Sequence, residues 1–165
     1  MSLSMFSRSG KSFAIGAKNL LRMKKMMKRL LVSALLVMSS STYADLLLFG
    51  GKGHDVFLGC VDCSSYDSNS ICNEYGQYGS EYRDSIWNAY RDYGSEYRDT
   101  SPWNEYTTSK NVPVLVSKKG DFYGYFTINE HRGDAVSFAE SMKKMFEYAK
   151  GDLTVVRNLL CDALH

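Results

Sequence analysis

What the chain lacks narrows the field first. Its first 44 residues contain no acid, so the formal net charge of +2 averages two unlike segments. Eight basic residues lie in 1–44, which leaves 12 basic and all 18 acidic residues in 45–165, a net charge of −6 there. Phosphate neutralisation needs clustered Lys and Arg, so this balance argues against nucleic acid as a partner. No apolar run approaches the ~20 residues of a bilayer-spanning helix, so no stable membrane span is expected. No Gly-x-Ser-x-Gly or His-Glu-x-x-His occurs. Gly50-Gly51-Lys52-Gly53-His54 lacks the spacing and the following helix of a phosphate-binding loop, and reads as a flexible turn. Between residues 66 and 106 the only branched aliphatics are Ile71 and Ile86. Apolar residues still make up 44% of the chain, too many for a disordered one, and 165 residues leave room for one domain.

What is present begins with an address. Lys24-Lys25-Met26-Met27-Lys28-Arg29 is a basic stretch, followed by nine apolar-rich residues, Leu30–Met38. A short polar stretch then ends in Thr42-Tyr43-Ala44, whose small residues at −3 and −1 suit signal peptidase cleavage after Ala44. No cysteine directly follows this run, which argues against a bacterial lipid anchor there. Residues 1–22 read as a start extension, with translation beginning at Met23, Met26 or Met27. An organellar transit peptide and an uncleaved amphipathic anchor are the alternatives; the apolar run and cleavage site favour export. The expected product is one domain, 45–165, periplasmic or extracellular.

Two β-hairpins are expected. One joins the apolar runs at 46–49 and 56–58. The other joins 112–117 to 121–128 through Lys118-Lys119-Gly120, both arms being β-branched or aromatic. Pro113 cannot donate to a ladder, so its strand starts at an edge or pairs there on one side only. The tail, 134–164, reads as a helix pair. Ala135, Phe138, Ala139, Met142, Met145, Phe146 and Ala149 form an i, i+3, i+4, i+7 stripe. Asp134 is placed to cap it, Lys150 to sit in its last turn and Gly151 to end it; Asp152 is placed to cap the second helix.

Between the hairpins lies a repeat. Ser70-Ile71-Cys72-Asn73-Glu74-Tyr75 returns 15 residues later as Ser85-Ile86-Trp87-Asn88-Ala89-Tyr90, and then as Ser101-Pro102-Trp103-Asn104-Glu105-Tyr106. Serine before Ile, Ile and Pro reads as an N-cap, so each copy is expected to start a short helix, closed in the full copies by Gly79 and Gly94. Three-residue spacing then puts Trp87 with Tyr90, and Tyr90 with Tyr93, on shared faces. Fifteen residues is short for a solenoid unit. The expected fold class is α+β: a small antiparallel sheet from two hairpins, helical-turn aromatic repeats (66–106) between them, and a C-terminal helix pair.

The exported start, the Leu-Leu-Leu-Phe-Gly-Gly-Lys-Gly-His opening and the Ser-Ile-Trp-Asn-x-Tyr and Tyr-Gly-Ser-x-Tyr repeats resemble an uncharacterised family of small exported bacterial proteins. The resemblance covers 45 to about 128 and implies no activity, ligand or catalytic residue. The copies differ among themselves: Cys72 stands where the second copy has Trp87, and Arg91 where the first has Gly76.

Cys60, Cys63, Cys72 and Cys161 are an even set in a small exported domain, which favours structural disulfides. Four cysteines allow three pairings; short loops favour a bridge within Cys60, Cys63 and Cys72. Zinc binding by Cys60, Cys63, Cys72 and His54, or a redox Cys60-x-x-Cys63, are minority readings. His54 and His131 belong to no nucleophile motif, and Asp67-Ser68-Asn69 with Glu74 lacks a calcium loop's full ligand series. No cofactor, metal or catalytic residue is assigned. Trp87 and Trp103 are expected in the core. Tyr75, Tyr78, Tyr82, Tyr90, Tyr93, Tyr97 and Tyr106 are the candidate binding surface. The resulting expectation is a non-enzymatic exported module binding a protein or glycan partner at the bacterial envelope. The alternatives are a thiol–disulfide or metal-dependent periplasmic helper using Cys60 and Cys63, and a self-associating structural envelope protein.

Overall fold

The computed structural model describes residues 45–165; the expected leader and the expected cleavage site after Ala44 lie outside the described residues. The expected α+β architecture is present. Strands β1 (Leu46–Gly50), β2 (Val56–Cys60), β3 (Val114–Ser117) and β4 (Phe122–Tyr125) precede helices α1 (Ala139–Tyr148) and α2 (Leu153–Leu164). The sheet is antiparallel throughout, in the order β2-β1-β3-β4, so the two hairpins join through β1 and β3. In that central pair Leu48 faces Leu115, and both are buried. Pro113 precedes β3 and takes part as an acceptor, its carbonyl receiving the N–H of Phe126. Among the described residues no helix is long and apolar enough to cross a membrane.

The repeats are not helices. Each copy is a chain of side-chain-closed turns. Ser70, Ser85 and Ser101 are buried, and each hydroxyl accepts the N–H two residues on, from Cys72, Trp87 and Trp103, at 3.1 Å. The same hydroxyls donate to the carbonyls of Cys63, Ser80 and Tyr93. Asn73, Asn88 and Asn104 close the next turn on the N–H groups of Tyr75, Tyr90 and Tyr106. Turn serines and asparagines bond the same near N–H groups as helix caps do, so the capping signal was real but no helix followed it. With Ile71 and Ile86 as its only branched aliphatics, the segment has no stripe on which a helix could pack.

Gly79 and Gly94 act by close approach rather than by capping. A Cβ on either would lie 2.1 or 2.0 Å from the carbonyl oxygen of Asn73 or Asn88. The expected shared aromatic faces do not form either: Trp87 is buried, Tyr93 half-buried and Tyr90 exposed.

Successive copies are joined by tryptophan. The Trp87 indole donates to the Ile71 carbonyl at 2.7 Å, and the Trp103 indole donates to the Ile86 carbonyl. The column continues at both ends through backbone bonds, Ile71 N–H to Cys60 C=O and Ile128 N–H to Pro102 C=O. The two indoles lie 5.3 Å apart, and Trp103 also stands edge-on to Phe126 and parallel to Phe146 of α1. In the first copy Cys72 takes the tryptophan place and is bonded to Cys161 of α2; the second disulfide is Cys60–Cys63. The short-loop preference holds, and Cys161 takes the remaining partner.

The tail departs from its expected start. Helix α1 begins at Ala139, after Phe138, without a side-chain cap. Asp134 instead pairs with Arg132 at 2.6 Å, and its carbonyl receives the N–H of Tyr125. Residues 134–136 run along the end of β4, bridging Tyr125 to Ala135, so the apolar residues Ala135 and Val136 belong to an extended segment. Gly124 (φ 129°) makes this possible, since a Cβ there would meet the Ala135–Val136 peptide at 2.8 Å. Lys150 lies beyond the last turn of α1, with Gly151, both in the left-handed region. Asp152 does cap α2, accepting from Thr154 and Val155.

Trp87→Phe and Trp103→Phe each remove a donor and strand a buried carbonyl, which costs about 1–3 kcal/mol. A lowered urea midpoint with an unchanged slope is the expected result; an unchanged midpoint would show that the indole bonds do not hold the copies. For the disulfides, loop entropy ranks the bridges. Replacing Cys72 and Cys161 by serine, which frees a separation of 89 residues, should cost about 4–5 kcal/mol, against about 2 kcal/mol for Cys60 and Cys63. Thermal melts of the two double variants check the order.

Candidate functional site

The seven candidate tyrosines separate into two groups. Tyr75, Tyr82, Tyr90, Tyr97 and Tyr106 are at least 82% exposed, and Tyr66, which the sequence reading missed, is equally so. The common cause is local. Each is the third residue of a turn whose first side chain, Ser64, Asn73, Ser80, Asn88, Ser95 or Asn104, accepts its backbone N–H. Tyr78 and Tyr93 do not belong to the surface set. Tyr78 stacks edge-on against Phe57 of β2 at 4.9 Å, and Tyr93 packs beside Gly50 of β1.

The glutamate preceding a tyrosine has its own role. Glu74 pairs with Arg157 of α2 at 3.3 Å, Glu81 accepts from Thr154 of α2, and Glu105 lies 3.8 Å from Lys143 of α1. Three Glu-Tyr turns, at 74–75, 81–82 and 105–106, are therefore pinned along the helix pair by their carboxylates while their rings stay in water. Arg157 is buried and also donates to the Gly79 carbonyl at 2.8 Å. The Thr154 hydroxyl, then the Tyr82 phenol, hold the Glu81 carboxyl below its ordinary value.

Where the turns meet the α1–α2 corner they form two adjoining clefts. The larger, about 510 Å³, is lined by Glu96, Tyr97, Tyr106, Phe146, Glu147 and Lys150, among others. The smaller, about 240 Å³, shares Glu96, Tyr97, Phe146 and Gly151 with it and adds Tyr90. Trp103 and Phe146, parallel within 6° at 6.0 Å, both line the larger cleft, although Trp103 itself is almost wholly buried. The helix residues of this cleft were not singled out from the sequence. The recurrence of Glu before Tyr at 74, 81, 96 and 105 was the available signal.

The other candidates resolve into structure. His54 sits at the β1–β2 turn with Nε2 3.2 Å from the Val112 carbonyl and its ring edge-on to Tyr125. Asp67 closes a turn on Asn69. Cys60, Asp62 and Cys63 lie together, but both sulfurs are spent in the disulfide and Asp62 accepts the Leu46 N–H at 2.6 Å. That leaves no thiolate for zinc. Cys60 is buried at the end of β2.

The phenols of Tyr75, Tyr82, Tyr97 and Tyr106 are each held above the ordinary tyrosine value of 10.0, first by a hydrogen bond to the preceding glutamate and then by its charge, which opposes the phenolate. Spectrophotometric titration should show these phenols ionising above pH 10.0. The Glu96→Gln variant should move one of them back toward that value, and an unchanged titration curve would refute the pairing.

Set against protein-family models, curated proteins and solved structures, the chain matches none of them.

Proposed function

We propose that this chain is an exported, non-enzymatic binding module that grips a partner through the solvent-facing tyrosines of its repeats. One observation carries the reading: six tyrosines stand almost fully exposed on turns whose polar side chains are hydrogen-bonded. Large aromatics left in water contribute nothing to the core. Tyrosine brings broad contact area and a polar tip at the entropic cost of two side-chain torsions. Pinning the turns on the helix pair lowers the ordering cost of association further. Export is supported by the leader sequence and by two disulfides, which persist in oxidising compartments. Partner proteins or glycans of the cell envelope are the expected ligands.

The test is a retention assay on envelope extract with the chain purified from an exporting host. Replacing Tyr75, Tyr82, Tyr90, Tyr97 and Tyr106 by serine should leave the melting temperature nearly unchanged, because these rings are exposed. Loss of one hot-spot aromatic costs about 2 kcal/mol, roughly thirtyfold in affinity, so retention should disappear. Undiminished retention of every component by the quintuple variant overturns the proposal.

A further inference from the structure

We infer that the larger cleft at the α1–α2 corner receives a cationic side chain, a lysine or arginine carried on an extended segment of a partner protein. The inference rests on the binding-module reading and names the chemistry that the partner must present.

Charge is the first support. Three carboxylates, Glu96, Glu105 and Glu147, line this cleft, and among the described residues Lys150 is the one cation lining it with them. Lys143 of α1 lies nearby but is held closest by Glu130, at 3.0 Å, against 3.8 Å to Glu105 and 4.0 Å to Glu147. Counting Lys143 and Glu130 together adds one charge of each sign, so three carboxylates against one ammonium group remains the balance. Glu96 also borders the adjoining smaller cleft, where it is the one charged lining residue. The whole of 45–165 carries the same sign, −6 in net charge, which draws a cationic segment in from further away.

Aromatic lining is the second support, and it selects among cations. Tyr97, Tyr106 and Phe146 stand in the cleft with the carboxylates. A lysine or arginine has an apolar stem that packs on such surface and a head that gains from both the ring and the carboxylate. A bare inorganic cation would use the acids alone, and an uncharged ligand would cover them without opposing them, which is costly. The molecule already holds one of its own cations this way. The Arg132 guanidinium lies 3.5 Å over the Tyr125 ring, with its Nε 2.6 Å from Asp134.

Shape is the third, and it favours a segment over a free small cation. The volume, about 510 Å³, is that of a small-ligand site. Its tyrosines, however, are 84% and 82% exposed, so they border a bound group without enclosing it. A chain laid across the cleft can continue past Tyr97 into the smaller one, whose lining includes Tyr90.

The experiment is an anisotropy titration of the oxidised full chain with a labelled peptide of about ten residues, alternating lysine and glycine. The same peptide with every lysine acetylated keeps its length and loses its charge. Expected is binding of the lysine peptide at about 50 mM salt, with the acetylated form about tenfold weaker or more. Raising salt to about 500 mM, which screens exposed charges, should weaken it about fivefold or more. Glu96→Gln should cost about fivefold. Asp162→Asn, the same charge change toward the far end of α2, should cost less than twofold. Both side chains are exposed, so neither substitution threatens the fold. Tyr97→Leu should cost about threefold and Tyr97→Phe, which keeps a ring, less than twofold. The inference is overturned if the lysine peptide does not bind, if the acetylated peptide binds equally, or if Asp162→Asn weakens binding as much as Glu96→Gln. Displacement of the peptide by equimolar tetramethylammonium overturns the segment in favour of a small cation. Should the quintuple tyrosine variant lose an envelope partner while no cationic peptide binds, only the cationic assignment fails. Should that variant retain every partner, the binding-module reading fails as well.

Discussion

Two indole N–H groups hold the middle of this protein together. A repeat poor in branched aliphatics cannot close on itself by hydrophobic burial alone. Each of its units must find a partner for the carbonyl left in its interior, since a buried polar group without a hydrogen bond is costly. The Trp87 and Trp103 indoles supply that partner across unit boundaries, at Ile71 and Ile86. This explains why proline is tolerated at 102: the Ile86 carbonyl is met by a side chain, so the missing N–H of Pro102 leaves nothing unpaired. It also explains Cys72. The first unit follows a β-strand, its Ile71 N–H can reach the Cys60 carbonyl directly, and the tryptophan place is free for a covalent tie to α2.

Much of the frame was legible in the sequence because short-range chemistry decides it. Val114–Ser117 and Phe122–Tyr125 pair as their β-branched and aromatic character implies, and Asp152 caps α2 as its position before an apolar stripe implies. The failures have a common origin. A serine before an apolar residue satisfies the same nearby N–H groups in a helix cap and in a turn, so Ser70, Ser85 and Ser101 could not be distinguished from cap residues without a partner for the helix. Asp134 failed for a related reason. The spacing that put Ala135 on a helical stripe came from a residue bridged to Tyr125 at the end of β4, a long-range contact that no local pattern reports. One further unit also escaped notice. Thr127-Ile128-Asn129 repeats the bonding of the earlier copies, with Asn129 accepting the His131 N–H and donating to the Thr107 carbonyl, but it has no tryptophan to mark it.

The candidate surface was half legible for the same reason. Tyrosines on the turn position emerge into water together, and their spacing announced them. Tyr78 and Tyr93 are the same residue type but do not stand at that turn position, and Phe57 and Gly50 receive them. What the sequence concealed was the role of the acids. No local pattern gives Glu74, Glu81 or Glu105 a partner, yet each meets a residue of the tail more than 30 positions away. The helix pair is therefore as much a part of the tyrosine surface as the repeats are, because it sets where the turns stand.

The Cys72–Cys161 bridge sets the order in which the molecule can be finished. A ribosome delivers Cys72 long before Cys161, which lies 89 residues further on. The first unit therefore waits, without its indole and without its bridge, while every later unit is made. The first repeat unit is locked last, by the final helix. Any chain cut short before residue 161 would carry all of the repeats and none of the covalent closure that ties them to the tail.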